Sequence, residues 1–378
     1  MDYLRRILNA RVYEAAIETP LDEAPLLSER LGCDVLLKRE DLQPVFSFKV
    51  RGAYNKMAQM SEAERTRGVI AASAGNHAQG VALAAEKMGC PAKIVMPVIT
   101  PRIKTDAVTA RGAEVVLHGD NFDEARERAL ELAEAEGLAF VHPYDDPDVI
   151  AGQGTIGLEI LRQSSEIPDA IFLCVGGGGL AAGVGSYVKA LRPEVKVIGV
   201  EPVDAACMQK ALAAGEPVTL PSIGLFADGA AVRRAGDETF RICRDVVDEI
   251  VTVGTDELCA AIKDAFEDTR SILEPAGALA IAGMKKMAAR EGWGGKTLVA
   301  VASGANMNFD RLRHVAERAE LGEQREVIFA VRIPERPGTF GKFCEALGRH
   351  SITEFNYRFG DPDQAVVFVG IETETSTR

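Results

Sequence analysis

Short runs of β-branched and aliphatic residues alternate with longer stretches rich in Ala, Glu and Arg from about Leu36 to Val301. Apolar runs bounded by polar turns suit strands covered on both faces, and the stretches between them carry apolar positions at helical spacing. The pattern predicts strands at 35–37, 69–71, 93–96, 114–117, 170–175, 196–200 and 297–301. It also predicts amphipathic helices such as 121–136, where Asp120 or Asn121 can cap and the acids of the first turn suit the helix dipole. Strands and helices in alternation imply a mainly parallel sheet. After Gly322 the pattern changes: a strand at 327–333, a Pro337-Gly338 turn, a helix at 339–348, then strands at 352–359 and 366–371 around Gly360-Asp361-Pro362-Asp363.

Composition narrows the class. With 378 residues, 47% apolar and 26% charged, the chain is long enough for two or three well-packed domains. A net charge of −13 argues against nucleic acid or an anionic membrane as the main partner. The seven cysteines are scattered without CxxC or CxxxxH spacing, so a zinc site or disulfide frame is not expected. The opening residues Met1-Asp2-Tyr3-Leu4-Arg5-Arg6 lead into no apolar leader, and no apolar run approaches a membrane span. A soluble, cytoplasmic protein is expected.

Four turns carry candidate chemistry. The first follows Lys38-Arg39-Glu40-Asp41 at a strand end and reads Ser47-Phe48-Lys49-Val50-Arg51-Gly52-Ala53. A lysine in an apolar setting loses its proton more readily, and the neutral amine forms Schiff bases with carbonyl compounds. Phe48 can cover the face of a ring, and Gly52-Ala53 lets a helix approach closely. Lys38 and Arg39 read instead as surface or ion-paired residues. The second turn is Ser73-Ala74-Gly75-Asn76-His77, opening a helix, where accessible amides suit an anion such as a substrate carboxylate. Asn76 reads either as a helix cap or as a ligand contact. His77 sits in a tight turn and is left out of the catalytic set. The third turn is Gly176-Gly177-Gly178-Gly179-Leu180 after an apolar strand. Four residues without Cβ let consecutive amides wrap one phosphate; the turn lacks a useful Gly-x-Gly-x-x-Gly register and a Walker lysine, which disfavours dinucleotides. The fourth is Ser303-Gly304-Ala305-Asn306, which alone would pass for an ordinary strand-to-helix turn. Glu274, before Pro275, and Asp228, before Gly229, are further candidate acids. Asp228 offers at most one or two oxygen ligands, too few for a hard cation, so no metal is expected.

These motifs, in this order, resemble those of the pyridoxal-phosphate dehydratases that act on serine and threonine. Glu335-Arg336-Pro337-Gly338 and the segment 353–359 resemble the ACT-like regulatory part of biosynthetic threonine dehydratases. The resemblance implies an α/β, fold type II (tryptophan-synthase β-like) enzyme: a large catalytic domain from 1–41 and 144–321, a small one from 42–143, and a partial ACT-like domain from 322–378 ending before a last helix and strand. It assigns Lys49 to the Schiff base with pyridoxal 5'-phosphate and to α-proton removal. It further assigns the 73–77 loop to the substrate carboxylate, Asn76 to the cofactor's phenolic oxygen, the glycine loop through Leu180 to its phosphate, and Ser303 to its pyridine nitrogen. Glu274 and Asp228 are expected nearby. The implied reaction is dehydration and deamination of L-threonine, and of L-serine, in isoleucine biosynthesis. Isoleucine and valine are the expected effectors and a homotetramer the expected assembly. Serine racemase or serine dehydratase shares the lysine frame. Val50, where cysteine and threonine synthases carry Asp, favours the dehydratase branch. A nicotinamide dehydrogenase would leave Lys49 without a role, and a non-enzymatic amino-acid sensor would explain the C-terminal segment alone.

Overall fold

The computed structural model describes residues 2–322, 326–348, 351–359 and 364–372. Its strands are β1 (Leu21–Glu23), β2 (Asp34–Arg39), β3 (Val69–Ala72), β4 (Ala92–Met96), β5 (Glu114–Leu117), β6 (Ala139–Phe140), β7 (Ala170–Cys174), β8 (Lys196–Pro202), β9 (Glu249–Val253), β10 (Thr297–Ala302), β11 (Glu326–Pro334), β12 (Ile352–Phe359) and β13 (Gln364–Glu372). Every strand that the apolar pattern predicts is present. The pattern misses β1, β6 and β9: β1 and β6 are very short, and β9 is an only partly buried edge strand.

The strands form three sheets. One has the order β1-β2-β10-β7-β8-β9, parallel except for the β1–β2 pair. A four-stranded sheet, β5-β4-β3-β6, is parallel throughout. A three-stranded antiparallel sheet, β11-β13-β12, carries the helix Thr339–Leu347 and is the βαββ unit read from the sequence. The turn at 360–363 lies outside the described residues.

The side-chain period of two sorts the small sheet's residues into its two faces. Val69 and Ala71 of β3 pack into one apolar cluster with Val81 and Met57, while Ile70 and Ala72 pack into another with Ala125 and Ala129. The helix Phe122–Glu136 covers that second face, and Asn121 caps it by accepting from the Glu124 amide. Strands β7 and β10 are buried nearly throughout, as parallel strands with both faces covered must be. Among the described residues, no helix is long and apolar enough to cross a membrane.

A buried ionic cluster ties the helix Lys49–Gln59 to the end of β2 and to the helix Pro147–Gln163. Arg51, on the helix Lys49–Gln59, pairs with Glu40 at 2.7 Å and with Glu159 at 2.5 Å, and all three side chains are fully buried. Lys38 pairs with the same Glu159 at 2.7 Å. Tyr13 Oη also donates to Glu159, and Thr19 Oγ1 to Glu40. Arg39 is nearly buried as well and grips Asp41 with two nitrogens. Of the two expectations for Lys38 and Arg39, surface or ion-paired, the structure gives the second: both are ion-paired inside the protein. Gly52 permits this crossing, because a Cβ there would lie 2.4 Å from Gln153 Nε2 on the helix Pro147–Gln163.

Candidate active site

Parallel α/β sheets bind ligands beyond the C-terminal ends of their strands. Here hydrogen bonds bring the turns after β3 and β10 and the end of β7 to the start of the helix Lys49–Gln59: Asn306 donates to Asn76, Cys174 to Ser303 Oγ and the Phe48 amide to Ser303 O. The Phe48 amide donates to Ser303 O at 3.2 Å, and the Ala305 amide to Phe46 O at 2.8 Å, so the lysine turn is stitched to the turn after β10.

Lys49 is partly buried, and its Nζ donates to Pro143 O at 2.9 Å. Among the described residues it has no ion-pair partner. Burial moves its ammonium down to about 8, with Cys174 and Glu274 pulling weakly the other way. Phe48 is buried in the core of the large sheet, its ring centroid 5.3 Å from the lysine nitrogen.

Across the cleft, Asn76 begins the helix Asn76–Met88 rather than capping it; Gly75 holds the cap position. Its amide is locked at both ends: Nδ2 donates to Glu274 Oε1 at 2.5 Å, and Oδ1 accepts from Asn306 Nδ2 at 2.6 Å. The cap alternative is thereby excluded and the side chain reaches across to Glu274 and Asn306. Ser73 Oγ accepts from the Gly75 amide, tightening the loop, while Ser73 to Gly75 remain partly open. His77 donates from Nε2 to Val141 O at 2.8 Å, and burial followed by the nearby Lys49 depresses its protonation to about 3. It is a neutral structural group at ordinary pH.

Glu274 is buried beside Asn76. Burial first, then the charge of Asp228, raises it to about 7, against the Asn76 amide that favours its ionised form. Asp228 itself faces Lys104 at 3.2 Å, an ion pair between the helix Arg102–Thr109 and the turn Asp228–Ala230. Among the described residues, no three His, Cys, Asp or Glu side chains converge as a metal site.

Ser303 is buried after β10; its Oγ donates to Ala276 O at 3.3 Å and accepts from Cys174 Sγ at 3.2 Å. The loop Gly176–Gly179 and Leu180 leads from β7 into the helix Gly179–Leu191. Gly177 and Gly178 are buried, yet among the described residues the amides of Gly176, Gly177 and Gly178 donate to no protein acceptor. A Cβ on Gly177 would lie 2.3 Å from the Tyr144 ring, and Gly178 has φ of 97°. Buried amides without acceptors call for an anion. These donors, the amine of Lys49 and the Ser303 hydroxyl fit the phosphate, carbonyl and ring of pyridoxal phosphate.

The profile of the family described as pyridoxal-phosphate dependent enzyme matches residues 12–304, and that of the C-terminal regulatory domain of threonine dehydratase matches 317–378. The biosynthetic L-threonine dehydratase of Burkholderia multivorans is 60% identical over 98% of this chain and 74% of its own length. The chain belongs to the biosynthetic threonine dehydratase family. Among solved structures, the processed form of threonine deaminase isoform 2 from Solanum lycopersicum superposes with a TM-score of 0.82 at 53% identity, covering 84% of this chain and 92% of that one. Maize serine racemase, at 30% identity and a TM-score of 0.78, covers 85% of this chain and 98% of its own. The dehydratase is thus a fold type II pyridoxal-phosphate enzyme with a C-terminal regulatory region. Tyr144, Thr239, Cys174 and Asn306 border the site without having been singled out from sequence; Asn306 lay in a quoted motif, and the others carry no local signature.

Proposed function

We propose that this chain dehydrates and deaminates L-threonine to 2-oxobutanoate and ammonia, the entry step to isoleucine, with L-serine as a second substrate. The observation that carries the reading is the Lys49 amine, hydrogen-bonded to Pro143 O and without an ion-pair partner among the described residues, on a turn stitched to the Ser303 turn, whose Asn306 in turn holds Asn76.

The roles follow from chemistry. Pyridoxal phosphate, when bound, supplies a carbonyl for the amine and a sink for the electron pair left at the α-carbon. Lys49 would hold the cofactor between turnovers, and its neutral amine would take the substrate's α-proton. Amides of the 73–77 loop would hold the substrate carboxylate, and Asn76 would meet the cofactor's phenolic oxygen. Gly176 to Leu180 would hold the phosphate. Ser303 would meet the ring nitrogen, and a hydroxyl, unlike a carboxylate, would not hold that nitrogen protonated, which suits elimination of the β-hydroxyl. Loss of water leaves an enamine, which tautomerises and takes up water to give the oxo acid and ammonia. Glu274 sets the orientation of Asn76, and the Lys104–Asp228 pair braces the helix Arg102–Thr109 against the turn Asp228–Ala230.

We further infer the domain partition 1–41 with 144–321, 42–143, and 322–378; the segregation of strands into three sheets supports it. Cytoplasmic residence, a homotetramer, and isoleucine and valine as effectors belong to the same proposal, the last supported by the C-terminal regulatory match.

The test is oxo-acid release from L-threonine and L-serine by the purified chain with added pyridoxal phosphate. Faster release of 2-oxobutanoate from threonine supports the reading. Conversion of L-serine to D-serine without net oxo-acid release would favour a racemase.

A further inference from the structure

We propose that Thr239 is a positioning residue for the glycine loop: its hydroxyl holds the Gly177 carbonyl outward and so turns the Gly178 amide into the cleft as a phosphate donor. The proposal rests on the phosphate reading of the loop given above.

In a trans peptide the C=O and N–H point to opposite sides. The directions of the Gly176, Gly177 and Gly178 carbonyls therefore decide where the amides of Gly177, Gly178 and Gly179 point. Donors outside the cleft take all three carbonyls. Gly176 O accepts from Cys207 Sγ at 3.4 Å, and Gly178 O from the Ala182 amide at 2.9 Å and Cys243 Sγ at 3.7 Å. Gly177 O accepts from Thr239 Oγ1 at 2.6 Å and from the Gly236 amide at 3.3 Å. The thiol contacts are weak, and Gly178 O is already held by its own helix. The middle peptide depends chiefly on Thr239, whose 2.6 Å bond is far shorter than that of the Gly236 amide at 3.3 Å. Lacking Cβ atoms, Gly177 and Gly178 offer little steric resistance to a peptide flip.

Thr239 is itself fixed. It is fully buried in the first turn of the helix Asp237–Val246. The Asp145 carboxylate caps that helix, accepting from the amides of Asp237, Glu238 and Thr239 at 3.0–3.1 Å. The Asp145 amide in turn donates to His142 Nδ1 at 2.8 Å. The hydroxyl proton has a competing acceptor in Gly236 O at 3.2 Å, and the shorter contact to Gly177 O takes it. The segment 142–145 thus caps the helix that carries Thr239, places the Tyr144 ring under Gly177, and presents Pro143 O to Lys49.

The experiment measures the dissociation constants of pyridoxal phosphate and of pyridoxal for the full chain freed of cofactor, by absorbance titration, in wild type, Thr239→Val and Thr239→Ser. The readout is the phosphate preference, the ratio of the two constants. Thr239→Val is expected to cut it about tenfold, about 1.4 kcal/mol, with pyridoxal affinity unchanged, while Thr239→Ser restores it. A Val variant with the wild-type preference, or one that loses both affinities equally, overturns the positioning role. A wild type with no preference for the phosphate overturns the reading of the loop itself. If the Val variant does not fold, Thr239→Ala carries the same expectation.

Discussion

Lys38 and Lys49 lie eleven residues apart and are both desolvated, yet only one is free to react. Lys38 is fully buried, donates to Thr19 O at 2.5 Å and Gln163 Oε1 at 2.9 Å, and pairs with Glu159 at 2.7 Å. Lys49 is only partly buried and has one neutral acceptor, Pro143 O. Burial pushes both ammonium groups down, but Glu159 is paired with Lys38 and pulls it back, while among the described residues no carboxylate pairs with Lys49 and Glu274 acts on it only through space. Burial alone does not make a reactive amine. What separates the two is a charge partner that fills all the donor sites in one region and a single exchangeable contact facing a cleft in the other.

The comparison is broken most severely by Lys49→Ala, which is expected to lower 2-oxobutanoate release by roughly 10²–10⁴-fold or more, since a general base of this kind contributes that much and the cofactor anchor goes with it. Activity within tenfold of wild type would remove Lys49 from its role. Next is Arg51→Met. It leaves Glu40 and Glu159 buried without their shared guanidinium, and an unpaired buried charge costs about 3–5 kcal/mol, read as a lowered urea midpoint. Lys38→Met is milder, roughly 1–3 kcal/mol for its lost charged hydrogen bonds, because Arg51 still neutralises Glu159. Its kcat against pH is expected to match wild type.

The smallest effect concerns pH. In the cofactor-free protein the Lys49 amine ionises at about 8 against its usual 10.5. Between these values the unfolded chain binds more protons than the folded one, so this residue makes stability rise with pH across that window and adds nothing further below it. Lys49→Met lacks that rise. The stability advantage of the Met variant is therefore expected to be constant below about pH 8 and to shrink toward pH 10.5, measured as urea midpoints of both proteins. A constant difference throughout would mean that Lys49 is not desolvated.

Much of the fold was legible because its parallel strands are continuous apolar runs separated by amphipathic helices. Strands β1 and β6 were not, since a few residues carry no periodicity, and β9 mixes polar and apolar positions on an edge. The candidate site was legible where the chemistry needs contiguous residues, as in the lysine frame and the four glycines. It was not legible where the contact is made across the chain. Asn76 meets Glu274 and Asn306 only after distant parts of the chain come together, and nothing local to Thr239 announces that it supports Gly177. Lys38 shows the converse limit: the sequence allows a surface or an ion-paired lysine, and only the fold reveals Glu159 beside it.

The most direct test is borohydride reduction of the protein with pyridoxal phosphate at about pH 8, near the value for Lys49, followed by peptide mapping. A pyridoxyl group on the peptide bearing Lys49, with the Lys38 peptide unlabelled, is the predicted result. Label on Lys38, or spread over surface lysines with Lys49 spared, would contradict the account.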